Sequence, residues 1–285
     1  MHYVIGDVHG CYDEMMALLN KIEAQDSEAI IYFVGDFIDR GPKVWEVLEW
    51  AMEHITLDGK YRSVRGNHEE LVLEWYEEWL EWRKNFIDTR DRYEWPEPRT
   101  KYDFDKQLRK RNLLQPYKLQ PIMDFFRSLP YNRLITVTNA QNEKVAYRIV
   151  HAWYYHYENI SLKDQIYANI WERNLCGNTN SGEIIVHGHT PNLPDGFWEI
   201  PEKYAGKIVY EEKSNSIDID GGCCYQSMVP ECPCMLCGIC LETLEEFYPY
   251  TLTERFEQFK EKRYLATKCK QEDFPAYGQR KDLCI

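Results

Sequence analysis

No apolar run in this 285-residue sequence approaches the roughly 20 residues that a membrane-spanning helix needs. The first residues, Met1 to Asp7, also lack the basic segment and the apolar stretch of a secretory signal. We therefore expect no membrane association and a cytoplasmic location. In that compartment the 10 cysteines would stay reduced, as thiols or as metal ligands.

An excess of basic residues is also missing, because 34 Lys and Arg stand against 47 Asp and Glu and the net charge is -13. Such a chain does not attract a polyanion through its overall charge, so we expect no bulk nucleic-acid binding. Any phosphate ligand would have to be attracted by local cations, namely metal ions and a few arginines. The hydrophobic content of 44% is enough for the core of one large domain. Composition does not determine the oligomeric state.

Strand-like apolar runs and amphipathic helical segments alternate through the first 70 residues. The strand-like runs lie at residues 2–5, 29–34 and 61–64, and helical spacing of apolar residues covers 14–22 and 44–52. This β-α-β-α-β order predicts an α/β fold with a parallel core and right-handed crossovers. In such sheets the active site lies beyond the carboxyl ends of the strands.

The remainder of the chain changes character twice. Residues 71–128 are rich in Trp, Tyr and charged side chains, which predicts a helical insertion that packs on the core or docks a partner. A helix is predicted at 161–171. The candidate strands of the second half are 134–138, 145–150, 183–186, 208–211, 216–219 and 235–242.

Four short motifs carry residue types that bind metals, and three of them follow strands in the first 70 residues. They are GDVHG at 6–10, GDFIDRG at 35–41, GNHE at 66–69 and HGHT at 187–190, and His151 at the end of its own strand is a fifth candidate. Carboxylates, imidazoles and an amide oxygen suit borderline divalent ions such as manganese, iron or zinc. Two such ions sharing a carboxylate, about 3.5–4 Å apart, stabilise in-line displacement at phosphorus. One such motif alone is usually structural, but five at strand ends predict a metal site.

In this order, the four motifs resemble those of the calcineurin-like metallophosphoesterases, and in particular the serine/threonine phosphoprotein phosphatases and their short bacterial and phage relatives. The resemblance is specific through residues 1–70 and looser through His151, Arg173 and His189 to about residue 222. It implies a β-sandwich of two mixed sheets flanked by helices. We expect this domain at 1–250, with the insertion at 71–128 and a C-terminal extension at 251–285.

The resemblance also implies a role for each residue of the site. It implies two divalent ions per chain, manganese first, with iron or zinc as substitutes. A hydroxide between the ions would attack phosphorus, His68 would protonate the leaving group, and Asp39 would orient His68. The phosphate would be bound by Arg40, Asn67 and Arg173. The metal ligands implied are Asp7 and His9 for the first ion, Asp36 as the bridge, and Asn67, His151 and His189 for the second.

The favoured function is hydrolysis of phosphomonoesters, with phosphoserine or phosphothreonine proteins as the leading substrates and phosphorylated small molecules next. The main rival is a bis(5'-nucleosyl)-tetraphosphatase, whose family motif is similar to GDVHGCY at 6–12. In the symmetrically cleaving form of that enzyme we expect no Asp partner for the general-acid histidine, because a nucleotide phosphate leaves without a proton. Asp39 is present here, which favours a poorer leaving group. The motifs would also fit a nucleotide or RNA-end phosphatase, or a phosphoesterase-like scaffold without catalytic activity.

Three further features can each be interpreted in two ways. The cysteines between 223 and 240 could bind a structural zinc or pack as small apolar residues. Asp218 and Asp220 share one face of a strand and could bind metal or, more in keeping with a strand end, accept hydrogen bonds. The Glu-rich helical segment 69–81 is expected to present a solvated face.

Overall fold

The computed structural model describes residues 1–88, 96–173, 182–193, 205–226, 228–229, 232–251 and 254. The chain divides into two units, Met1–Pro249 and Tyr250–Ile285. All elements described below belong to the first unit. The expected division into a domain at 1–250 and an extension at 251–285 stays a prediction.

Two five-stranded mixed sheets form the centre of the first unit. Their strand orders are β10-β9-β1-β2-β3 and β4-β5-β6-β8-β7. In the first sheet β1, β2 and β3 are parallel and β9 runs antiparallel to β1. In the second sheet β5, β6 and β8 are parallel, with β4 and β7 antiparallel at the edges. The strands are β1 (His2–Ile5), β2 (Ile30–Phe33), β3 (Tyr61–Ser63), β4 (Asn132–Thr138), β5 (Lys144–Val150), β6 (Glu183–His187), β7 (Val209–Glu211), β8 (Ser216–Asp218), β9 (Gly238–Cys240) and β10 (Glu246–Phe247).

The helices cover the sheets from outside, which confirms the predicted two-sheet fold flanked by helices. Alternation along β1 shows how the layers form: Tyr3 and Ile5 pack in the cluster that contains the helix residues, and Val4 packs between the two sheets. Because both faces of β1 are buried, its sequence is apolar throughout. The helices are α1 (Tyr12–Gln25), α2 (Val44–His54), α3 (Asn67–Asp88), α4 (Phe104–Lys110), α5 (Pro116–Ser128) and α6 (Leu162–Trp171).

Three aromatic residues of α3 in the insertion face inward. Trp75, Tyr76 and Trp79 of α3 are 4%, 2% and 1% exposed and belong to the main core cluster. The indole N–H of Trp75 donates to the Pro98 carbonyl at 3.0 Å. These side chains therefore anchor the insertion on the core, and they are not available as a docking surface.

The strand expected at 235–242 is shorter in the structure, so the expected length was wrong. Only Gly238–Cys240 forms β9, because its partner β1 is short and pairs Tyr3 with Cys240 and Ile5 with Gly238. Cys237 packs between the sheets and Cys240 packs on the helical side, so the two thiols point to opposite faces. The sequence pattern also missed β10. Among the residues described, no helix combines the length and apolarity needed to cross a bilayer.

Candidate metal centre and acid pair

Chain turns after five strands bring the expected metal ligands together. Asp7 follows β1, Asp36 follows β2, Asn67 begins α3 after β3, His151 follows β5 and His189 follows β6. His9 lies in the same turn as Asp7, and its ring Nε2 lies 3.2 Å from Asp36 Oδ2. All six side chains are buried. The two sheets thus contribute ligands from both sides of one site.

Asp36 lies at the centre of this arrangement. Two groups of ligand atoms share its carboxylate, one with His9 and His68 and the other with Asp7 and His151. In each group the ligand atoms lie within 4.8 Å of one another. This geometry suits a carboxylate shared between two cations. These distance groups do not assign ligands to individual ions, so the assignment implied by the resemblance, with Asp7 and His9 on one ion, stays a prediction.

The hydrogen bonds of two histidines at Nδ1 orient the lone pairs of their Nε2 atoms into the site. His9 Nδ1 lies 2.8 Å from the Ile38 carbonyl oxygen, and His151 Nδ1 lies 2.9 Å from that of Val34. A carbonyl only accepts, so each Nδ1 donates its hydrogen and each Nε2 carries a lone pair. His151 Nε2 faces the Asn67 Oδ1 oxygen at 2.9 Å. A cation between two such acceptors explains this approach, and the nitrogen and oxygen donors fit a borderline divalent ion.

Buried carboxylates add a reason to expect cations. Burial raises the pKa of Asp7 well above its ordinary value, and the nearby Asp220 and Asp36 carboxylates raise it further. Burial also acts to raise the pKa of Asp36, but the surrounding histidines, with His151 first, hold it well below its ordinary value. Two divalent cations would offset the repulsion among these acids.

His68 and Asp39 form a buried pair beside this centre. His68 Nδ1 and Asp39 Oδ2 lie 2.7 Å apart, and His68 is 0% exposed. Burial raises the pKa of Asp39 to about 8 and lowers the pKa of His68 well below its usual range. The contact with Asp39 fixes Nδ1 on one side of the ring, so Nε2 faces the cluster of metal-type ligands. That nitrogen lies 3.9 Å from Asp36 Oδ2 and makes no hydrogen bond within the described residues.

Arg40 lies at the exposed side of the same turn. Asp39 and Arg40 both have left-handed backbone conformations, with φ of 68° and 63°. The Arg40 guanidinium donates to His9 Nε2 at 2.7 Å. It lies between the rings of Tyr102 and Tyr225, 5.6 and 5.3 Å from their centroids. Arg40 therefore lies next to the ligand atoms, as a phosphate-binding residue must.

Arg173 reaches the site from another direction. Helix α6 ends at Trp171, where the sequence predicted its end, and Glu172 has an extended backbone. Arg173 follows the helix, and its Nη1 donates to Thr190 Oγ1 at 2.8 Å and to the His189 carbonyl at 3.4 Å. Its guanidinium is thus held beside a candidate metal ligand, and its role in phosphate binding stays a prediction.

The family of calcineurin-like phosphoesterases matches residues 3–218 of the chain. The chain belongs to the calcineurin-like phosphoesterase family. This match includes all of the second sheet, the three parallel strands of the first sheet apart from His2, and every candidate ligand. It confirms the family suggested by the sequence motifs.

Curated relatives of this phosphoesterase match it over a shorter region. A symmetrical bis(5'-nucleosyl)-tetraphosphatase of Neisseria gonorrhoeae strain NCCP11945 is 39% identical over 72 residues, which is 25% of each chain. Its counterpart from Escherichia coli strain K12 / DH10B is 43% identical over 71 residues, 25% of this chain and 24% of that protein. The chain therefore spans about a quarter of the length of these relatives.

Solved structures with a similar fold have different described activities. One is described as a diadenosine tetraphosphatase, with 15% identity, a TM-score of 0.49, and coverage of 88% of this chain and 94% of that one. Another is a protein serine/threonine phosphatase from Saccharomyces cerevisiae, with 16% identity, a TM-score of 0.44, and coverage of 76% and 65%.

Sequence reasoning placed Glu69 of this phosphoesterase on a solvated helix face, and that expectation was wrong. Glu69 is 0% exposed and its carboxylate accepts hydrogen bonds from three backbone N–H groups, those of Asp36, Phe37 and Gly66, at 2.9–3.0 Å. It ties the turn after β2 to the start of α3. The sequence feature that indicates this buried role is the position of Glu69 directly after Asn67 and His68, within the GNHE motif.

The remaining ambiguous features have structural roles. Asp218 accepts from the Asp220 N–H at 2.9 Å, and Asp220 accepts from the Gly222 N–H at 2.9 Å. Both are buried hydrogen-bond acceptors where β8 ends. Across the described part of the chain, neither group of metal-type ligands contains a cysteine. The thiols of Cys232 and Cys234 instead pack in a small apolar cluster.

Proposed function

We propose that this chain is a metal-dependent phosphomonoesterase, with phosphoserine or phosphothreonine in proteins as the leading substrate class. The buried 2.7 Å contact between His68 and Asp39 carries this proposal. A serine or threonine alkoxide is a poor leaving group and needs a proton as the P–O bond breaks. A site that retains both the acid and its orienting carboxylate is suited to that demand.

The ligand set would hold two divalent ions, manganese first, with iron or zinc as substitutes that suit the same donors. Asp36 would be shared, Asp7 and His9 would serve one ion, and the second would be held by Asn67, His151 and His189. When bound, the ions would activate a water and offset the negative charge of the phosphate.

The protein side chains supply binding and proton transfer. Asp39 holds the His68 ring so that Nε2 lies within the buried site, and the protonated ring would donate its Nε2 hydrogen to the leaving oxygen and become neutral imidazole. Arg40 carries a fork of donors that matches phosphate oxygens. Arg173 and Asn67 would complete the phosphate contacts. The substrate partner is then a phosphoprotein or a phosphorylated small molecule, which we place in the cytoplasm.

Hydrolysis of dinucleoside tetraphosphates is the second candidate. It is favoured by the names of the curated relatives, which share 39% and 43% identity with this chain over their matched regions. A nucleotide leaving group departs without a proton, so this reaction would not need the His68–Asp39 pair. The two candidates therefore differ in their dependence on His68.

The test is hydrolysis of a phosphoserine peptide and of diadenosine tetraphosphate by the manganese-loaded protein and its His68→Asn variant. We expect preferential turnover of the peptide and a loss of about 10²- to 10⁴-fold in the variant. His54→Asn is the matched control, because His54 is exposed and lies outside the site. Preference for the dinucleotide with little effect of His68→Asn would favour the second candidate.

A further inference from the structure

The ring of His68 is enclosed on both sides. Tyr102 from the insertion stacks on it, with ring centroids 4.5 Å apart and planes 24° apart. His9 meets it edge-on, at 4.6 Å and 75°. Together with the Asp39 hydrogen bond, these contacts leave His68 with no exposed surface. The general acid is therefore held between the metal centre and a tyrosine that comes from outside the matched motifs.

The position of Tyr102 is set by contacts remote from the metal ligands. Thr100 Oγ1 donates to the buried Asp105 carboxylate at 2.8 Å and accepts from the Asp105 N–H at 3.0 Å. The Trp75 indole holds the same segment through the Pro98 carbonyl, at 3.0 Å. Because both ends of the segment are anchored, the Tyr102 ring is presented in a defined place.

Two requirements of proton donation depend on this enclosure. The imidazole must not rotate about its Cβ–Cγ bond, because a half-turn would put a ring carbon in the place of Nδ1 and break the contact with Asp39. Water must also be kept from Nε2, which makes no hydrogen bond within the described residues, because water would compete for the proton. A flat ring stacked on the imidazole serves both requirements.

We propose that Tyr102 is a positioning residue that holds His68 in its proton-donating orientation and shields it from water. The inference rests on the proposed function, because it requires His68 to act as the acid. The aromatic ring of Tyr102 makes the contact with His68, so the positioning of His68 should depend on the ring and not on the hydroxyl.

A different role for Tyr102 would act through Arg40, whose guanidinium lies 5.6 Å from the Tyr102 ring centroid. The two roles have different kinetic consequences. Loss of support for Arg40 would weaken phosphate binding and raise KM for every substrate alike. Loss of support for His68 would lower kcat, and more so the poorer the leaving group.

The kinetic test compares Tyr102→Ala and Tyr102→Phe on phosphoserine, phenyl phosphate and 2,4-dinitrophenyl phosphate with the metal-loaded full chain. We expect Tyr102→Ala to lower kcat on phosphoserine by about 10- to 100-fold and to have a much smaller effect on the dinitrophenyl ester. Tyr102→Phe should restore most of the loss. The control is Tyr117→Ala, an exposed tyrosine of the same insertion. A loss that is equal on all three esters would overturn the inference.

A double variant and a chemical probe separate this inference from the proposed function. In the His68→Asn background, Tyr102→Ala should cause no further loss on phosphoserine, because the residue through which it acts is gone. In metal-free protein, diethyl pyrocarbonate should modify His68 faster in Tyr102→Ala than in wild type, as read by peptide mass spectrometry.

The outcomes are distinguishable. If His68→Asn leaves phosphoserine turnover intact, the proposed function fails, and this inference fails with it. If His68→Asn abolishes turnover but Tyr102→Ala adds a further loss in that background, or does not change the modification rate of His68, only the role of Tyr102 is overturned.

Discussion

The stability of the insertion depends on Arg65, which connects the end of β3 to α3 and α5. Its guanidinium donates to Glu70 at 2.8 Å, to the Tyr131 hydroxyl at 3.0 Å and to the Arg127 carbonyl at 2.8 Å. It also lies 4.6 Å from the Tyr131 ring centroid. Arg65→Met keeps the length of the side chain and removes all three hydrogen bonds.

The stability lost in Arg65→Met lies between two limits. Breaking a fully buried ion pair costs about 3–5 kcal/mol, and an exposed pair contributes about 0–1 kcal/mol. The Arg65 and Glu70 side chains are 9% and 18% exposed, which is close to the buried limit. We expect Arg65→Met to lower the free energy of unfolding by about 2–4 kcal/mol, or Tm by about 5–10 °C.

Thermal and urea unfolding measure this effect, and Arg127→Met is the matched control. Arg127 pairs with Glu77 in the same region, but those side chains are 39% and 64% exposed. The control should therefore change stability by less than about 1 kcal/mol. Equal effects of the two substitutions would refute the argument that burial of the Arg65 network determines its contribution.

Three further predictions concern the site and the pH dependence of folding. Arg40→Lys should raise KM for phosphoserine by about tenfold in steady-state kinetics, since an ammonium cannot replace the guanidinium fork. Burial acts to raise the pKa of Glu242, but hydrogen bonds from the His2 N–H and ring outweigh it and lower the pKa below the ordinary 4.5. The contribution of ionised Glu242 to the free energy of unfolding is present above pH 4.5 and is lost as the pH falls through its folded-state pKa. The stabilities of Glu242→Gln and wild type in urea unfolding should therefore converge in acid. Removing divalent ions with a chelator should lower Tm by about 5–10 °C in scanning fluorimetry, because bound cations offset the repulsion between Asp7 and Asp220.

The parts of the fold that sequence predicts best are those buried on both faces. β1 and β2 read as apolar runs because helices cover one side and the second sheet covers the other. The candidate ligands follow from the same logic, since parallel strands place their carboxyl ends at one edge. His151 and His189 come from the second sheet; their residue type and strand-end positions made them candidates, and the family resemblance assigned them to the second ion.

What the sequence pattern missed depends on tertiary contacts. Glu69 lies in the first turn of an acidic helix whose composition is that of a solvated face, but its carboxylate accepts hydrogen bonds from three backbone N–H groups at and near the turn after β2. Tyr102 lies more than 30 positions from His68, in a segment with no recognisable motif. Its stacking on the acid follows from the path of the insertion, which local spacing does not encode.

The most direct test of a dinuclear centre is the metal content of the purified chain after loading with manganese and removal of free ions. We expect about two ions per chain by elemental analysis, and less than about one after Asp36→Ala, because Asp36 is shared by both ligand groups. Asp124→Ala is the control, since its side chain is 62% exposed and distant from these ligands in the sequence. Two ions in wild type and in the control, with loss in Asp36→Ala, is the predicted result. Substoichiometric metal in the wild type, or full occupancy without Asp36, would contradict a dinuclear centre built on this carboxylate.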